Sequence, residues 1–141
     1  MTTESPLARL ALVTKTLGHP ARLRILAMLR HNRLSVCQIA AALNVAASTA
    51  SGYLLELRRA DLVTEQRQGK WVYYRLTGDD ANDALLRFVL LLIASDPQVQ
   101  QDAVAASALH GTSPELVCGE GERETCVEAA GSVSHAAGER R

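Results

Sequence analysis

The stretch that most constrains this chain runs from residue 34 to residue 76, Leu34-Ser-Val-Cys-Gln-Ile-Ala through Trp71-Val-Tyr-Tyr-Arg-Leu76. Val36, Ile39, Ala40 and Leu43 recur at i, i+3, i+4 and i+7, and Ala50, Tyr53, Leu54 and Leu57 repeat that spacing, so two short helices each have one face to bury. Only Asn44-Val45-Ala46-Ala47 joins them. Asn44 can take a left-handed conformation, and so short a link makes the helices cross steeply. Residues 60 to 65 then enter a strand, Arg67-Gln68-Gly69-Lys70 turns, and Trp71 to Leu76 returns. In the returning strand Val72, Tyr74 and Leu76 alternate with Trp71, Tyr73 and Arg75, as a half-buried strand requires. Two crossed helices followed by a hairpin make a winged helix-turn-helix, so the fold class expected is mainly α with a small β-hairpin.

That arrangement implies double-stranded DNA as a partner. The second helix offers Ser48, Thr49, Ser51 and Tyr53 to a major groove, and the hairpin tip brings Arg67 and Lys70 beside Gly69 to phosphates or the minor groove. A solvated hairpin tip would look the same in isolation; its place directly after a helix-turn-helix favours the wing. Ala47 and Gly52 are weak readers, and Gly52 should cost its helix about 1 kcal/mol relative to Ala. Formal net charge is zero over 141 residues, yet residues 1–78 carry 11 Lys/Arg against 4 Asp/Glu and residues 79–141 carry 4 against 11. A basic half joined to an acidic half fits a DNA-binding face with a separate module.

Upstream, Ser5 and Pro6 start a helix that runs to about Leu17 before Gly18, with Leu7, Leu10, Ala11 and Thr14 as its apolar face. A second helix, from His19-Pro20 to Leu29, sets Ala21, Ile25, Met28 and Leu29 against the helix-turn-helix. Downstream, a helix containing Leu85 to Ile93 is apolar nearly all round. One side must pack on its own domain and the other on a second copy, giving a homodimer with two recognition helices about 34 Å apart. Asp96-Pro97 starts a last helix to Leu109, ended by His110-Gly111, whose weakly apolar face suits the first helix of either subunit. Residues 1–111 therefore read as a DNA-binding and dimerisation domain, and 112–141, rich in Gly, Glu, Ser and Ala, as a partly disordered tail. No run of about 18 apolar residues and no signal-peptide pattern occurs, so a cytoplasmic protein without a membrane partner is expected. Three cysteines there are expected as thiols. No phosphate loop, nucleophile motif or acid/base pair with His points to an enzyme.

Two segments carry a family resemblance. Leu17-Gly-His-Pro-Ala-Arg-Leu-Arg-Ile-Leu26 and Gln68-Gly-Lys-Trp-Val-Tyr-Tyr-Arg-Leu76 resemble the entry helix and wing of the arsenic-repressor (ArsR/SmtB) family of bacterial metal-responsive transcription factors. The resemblance covers residues 5 to 100 and implies a homodimeric repressor that leaves its operator when an inducer binds. Arsenic-responsive members carry Cys-Val-Cys in the first helix of the motif; this chain reads Ser35-Val36-Cys37, so only the second cysteine matches. The family's zinc-type site on the dimer helix needs His, and residues 81–95 contain none.

Cys118 and Cys126 bracket a loop, Gly119 to Thr125, long enough to bring its ends together. With Cys37 they could supply three thiolates, the trigonal-pyramidal set of trivalent arsenic or antimony; cadmium or lead would also accept soft thiolates. Spacing alone, with no C-x-x-C pair, favours instead Cys37 as a small buried hydrophobe and incidental tail thiols; the family resemblance shifts the balance toward the thiolate set. Another reading is a thiol redox or persulfide sensor, in which a bond from Cys37 to Cys118 or Cys126 ties the tail to the reading head.

Overall fold

Pro6 and Pro20 stand at the first positions of two helices, where the missing N–H is one that no intrahelical carbonyl could have used. The computed structural model describes residues 5–78, 80–112 and 117. Its elements in chain order are α1 (Pro6–Leu17), α2 (Pro20–Leu29), β1 (Leu34–Ser35), α3 (Val36–Leu43), α4 (Ala47–Arg59), β2 (Val63–Gln68), β3 (Trp71–Leu76), α5 (Asp80–Ile93) and α6 (Pro97–His110).

The hairpin is tighter than the sequence suggested. Arg67 pairs with Val72 and Gln68 with Trp71, so both Arg67 and Gln68 belong to the strand and only Gly69 and Lys70 turn. Gly69 sits at φ 61°, the left-handed region that a two-residue turn demands. A third strand was not anticipated: Leu34 pairs with Tyr74 and Ser35 with Tyr73, giving the antiparallel order β1-β3-β2. Two residues are too few to show an alternation.

The core is mainly aliphatic. Ile25, Leu26 and Met28 of α2, Ile39 of α3, and Leu54 and Leu57 of α4 are almost wholly buried, with Leu34 and Leu62 closing the ends. Tyr74 joins them from β3; burial pushes its phenol up to about 12, helped by the Glu65 carboxylate that its hydroxyl meets at 3.5 Å.

One helix buries a face other than the one its apolar spacing suggested, and another docks through polar groups far apart in sequence. On α1 the buried residues are Val13, Thr16 and Leu17, while Leu7 is 79% and Leu10 51% exposed. The Thr16 hydroxyl donates to the Leu12 carbonyl at 2.8 Å, and that internal bond lets a polar side chain face the core. Within the chain, α6 packs chiefly across α2 and α3. Its anchor is Asp102, 2% exposed, which takes a bidentate grip from Arg24 (Nε to Oδ2 2.7 Å, Nη2 to Oδ1 2.9 Å) and a third bond from Gln98 at 3.0 Å. Those bonds hold the Arg24 guanidinium above its ordinary pKa against the opposing effect of burial. Phe88, Leu91 and Leu92 leave one face of α5 apolar and exposed. Among the described residues no helix is long and apolar enough to cross a membrane.

Candidate nucleic-acid interface and cysteine pocket

The turn from α3 into α4 is made by Asn44, at φ 55° and ψ 48°, whose N–H bonds the carbonyls of Ala40 and Ala41. A short polar side chain tolerates that left-handed conformation, so α3 stops and the chain reverses. At the other end of α3, Ser35 and Gln38 form a reciprocal capping box. α4 begins without such help, because its N-cap is Ala46 and no side chain accepts its first-turn N–H groups.

Ser48 and Thr49 stand exposed on the first turn of α4, as a reading helix requires. Ser51 does not join them: its hydroxyl is buried and unbonded, so in this conformation it cannot reach a base. Tyr53 is half-buried, with its ring 5.0 Å from that of His19. His19 caps α2, its Nδ1 accepting from the Ala21 N–H at 3.1 Å. The contact with Tyr53 was not legible in the sequence, since nothing local links residues 19 and 53. On the hairpin Arg67 and Lys70 are both exposed. The Lys70 ammonium lies 5.6 Å from the centre of the Trp71 ring, which places a cation at the wing tip.

Cys37 occupies the first turn of α3 and is 5% exposed. Ala47 at the start of α4, Trp71 at the start of β3, and Val117 pack around it. Its pocket thus touches the first helix, the recognition helix and the wing at once. Trp71 had a signal in the sequence: alternation sets it on the strand face opposite Tyr74, and a large aromatic there needs something to cover it. The expectation of a free thiol is corrected, because Cys37 is disulfide-bonded and no described cysteine is free. A prior based on compartment could not see that α6 docks on α3 and that Val117 comes to lie beside Cys37. Cys118 and Cys126 lie outside the described residues. Among the described residues no group of three or more His, Cys, Asp or Glu is placed to hold a metal ion.

Known proteins share this architecture. The model of the "Bacterial regulatory protein, arsR family" matches residues 19–65, from the α2 cap to β2. The Biofilm growth-associated repressor of Agrobacterium fabrum is 37% identical over 78 residues, 55% of this chain and 67% of that protein. The arsenic resistance transcriptional regulator ArsR1 of Pseudomonas putida is 35% identical over 82 residues, 56% of this chain and 64% of that protein. The homodimeric winged helix-turn-helix DNA-binding domain of Mb0332 from Mycobacterium bovis superposes with a TM-score of 0.57 at 31% identity, covering 69% of this chain and 94% of that one. The family match thus spans α3, the left-handed Asn44 turn and α4 and ends in β2, and the chain belongs to the arsR family of bacterial regulatory proteins.

Proposed function

We propose that the chain is a dimeric DNA-binding transcriptional repressor that lets go of its operator when the chemistry at the Cys37 sulfur changes. The carrying observation is the pocket: a disulfide-bonded Cys37 walled by Ala47 of the recognition helix and Trp71 of the wing. A bond made or broken there moves groups that touch both DNA-reading elements. Val117 packs on Cys37 and precedes Cys118 in sequence, which favours Cys118 over Cys126 as the second sulfur. Thr49, Ser48 and Tyr53 read the major groove, and Arg67 and Lys70 meet the backbone. Repression is the mode named for the Agrobacterium relative.

Dimerisation is supported by the exposed apolar residues of α5 and α1, Phe88, Leu91 and Leu92 with Leu7 and Leu10, and by the homodimeric Mycobacterium bovis domain. Replacing Phe88 and Leu91 with Glu is expected to give monomers in sedimentation equilibrium and to abolish operator binding.

In the first reading, two thiols lose two protons and two electrons to an oxidant such as hydrogen peroxide, forming the disulfide and two waters. The likeness to an arsenic resistance regulator favours a second reading of the same site. In it trivalent arsenic or antimony binds Cys37 with Cys118 and Cys126 as thiolates, cadmium and lead being weaker candidates. Both readings pass through Cys37, and Cys37→Ser is expected to bind operator like the wild type while ignoring oxidant and metalloid alike. Release of DNA by the variant on either treatment would remove Cys37 from the mechanism.

A further inference from the structure

Gln38 follows Cys37 on the first turn of α3, is 2% exposed, and has its whole amide engaged. Its Oε1 accepts from the Ser35 N–H at 2.9 Å, completing the capping box. Its Nε2 donates to the carbonyls of Leu109 at 2.8 Å and Thr112 at 3.0 Å, where α6 ends. The last carbonyls of a helix have no partner of their own, so one side chain closes the start of α3 and the end of α6 together. A capping box uses only the oxygen, and Glu serves it as well as Gln. The amide nitrogen is therefore surplus to α3 and spent entirely on α6.

The same end of α6 has a second tie. His110 Nδ1 donates to the Arg33 carbonyl at 3.1 Å. The Arg33 guanidinium lies 4.7 Å from the centre of the Tyr73 ring on β3 and donates to the Gln68 side chain on β2 at 2.8 Å. From residues 109–112 one arm thus reaches the first helix of the DNA-binding motif, beside Cys37, and the other reaches the wing.

We infer that Gln38 is a positioning residue that couples the state of the Cys37 sulfur to DNA affinity through the end of α6, with Arg33 carrying the same signal to the wing. This rests on the reading that thiol chemistry at Cys37 governs operator binding. Coupling of this kind is read as a change in response when one link is altered.

The test compares full-length wild type, Gln38→Glu and Arg33→Met on the protein's own upstream DNA by fluorescence anisotropy. Each is measured reduced and after treatment with hydrogen peroxide, which converts two thiols to a disulfide and two waters. Disulfide formation is counted by mass spectrometry after thiol alkylation. Wild type is expected to lose at least about 10-fold in affinity on oxidation, within the range usual for coupled sites. Gln38→Glu is expected to form the same bond yet lose less than about threefold, and Arg33→Met to fall between. A responsive wild type with equally responsive variants overturns the inference and leaves the thiol reading intact; an unresponsive wild type overturns both. Hydrogen exchange on the wild type needs no variant. Residues 34–38, 66–73 and 107–112 are expected to change protection together on oxidation, and loss of affinity with no change at residues 107–112 would also overturn the inference.

Discussion

The Arg24 and Asp102 pair gives an asymmetric prediction. Asp102 is 2% exposed at its side chain and Arg24 26%, so the two partners do not suffer equally when left alone. In Arg24→Met the Asp102 carboxylate stays buried with only the Gln98 amide at 3.0 Å to hold it. Breaking a buried pair in this way costs about 3–5 kcal/mol. In Asp102→Asn the guanidinium can turn to water, and the loss is nearer about 1–3 kcal/mol, the cost of charge-assisted bonds given up. Arg24→Met should therefore be the worse variant by roughly 1–2 kcal/mol, a large share of a stability of about 5–15 kcal/mol. The double variant Arg24→Met with Asp102→Asn removes both charges and should cost well under the sum of the two singles. Urea unfolding of reduced protein, followed by circular dichroism at one protein concentration, measures all three. An Asp102→Asn variant less stable than Arg24→Met, or a double variant equal to the sum within about 0.5 kcal/mol, would refute the burial argument.

Other consequences can be checked with simpler variants. Replacing Arg67 and Lys70 with Gln is expected to weaken binding to every DNA sequence and to flatten the plot of log affinity against log salt by about 0.9 for each phosphate no longer neutralised; an unchanged slope would take the wing off the DNA. Gly52→Ala should raise stability by about 0.5–1 kcal/mol in thermal melts, since Gly52 lies within α4 and a Cβ there meets nothing within 4 Å. The Tyr74 phenol, raised from 10.0 to about 12, favours the folded state while neutral. That contribution is full below pH 10 and is lost as pH rises through about 12, roughly 3 kcal/mol in all. Tyr74→Phe should lack this alkaline fall when denaturant midpoints are compared between pH 9 and 12, and parallel curves would contradict the assignment.

What could be read in the sequence was whatever folds by one-sided burial. Ile39, Leu43, Leu54 and Leu57 fall on the helical spacing, and each is buried; Asn44 took the left-handed turn its side chain permits. The capping roles of Ser35, His19 and Asp96 follow from short-range hydrogen bonds, of which the sequence pattern points to that of Asp96. The face of α1 departs from its pattern because Thr16, polar by type, satisfies itself on its own helix, whereas Leu7 and Leu10 stay exposed. The docking of α6 was out of reach for another reason. Arg24 and Asp102 are 78 residues apart, and Gln38 and Leu109 are 71 apart, and polar pairings at such range leave no period in the chain. The same holds for the candidate site. Cys37 could be singled out by its position in the motif, but its disulfide and its walls of Ala47, Trp71 and Val117 depend on that docking. Ser51 shows the limit of helical spacing alone, since its hydroxyl turns inward from the surface that Ser48 and Thr49 share.

The most direct measurement is fluorescence anisotropy of the reduced wild-type protein on its own upstream DNA at fixed salt. It is titrated in parallel with hydrogen peroxide, a persulfide donor, arsenite, antimonite and cadmium. Tight binding in the reduced state, with release by the oxidants or by the trivalent metalloids and recovery on adding excess dithiol, is the result expected of a repressor governed at Cys37. Tight binding indifferent to every reagent would contradict it and leave a winged-helix DNA-binding protein whose cysteines play no part in release.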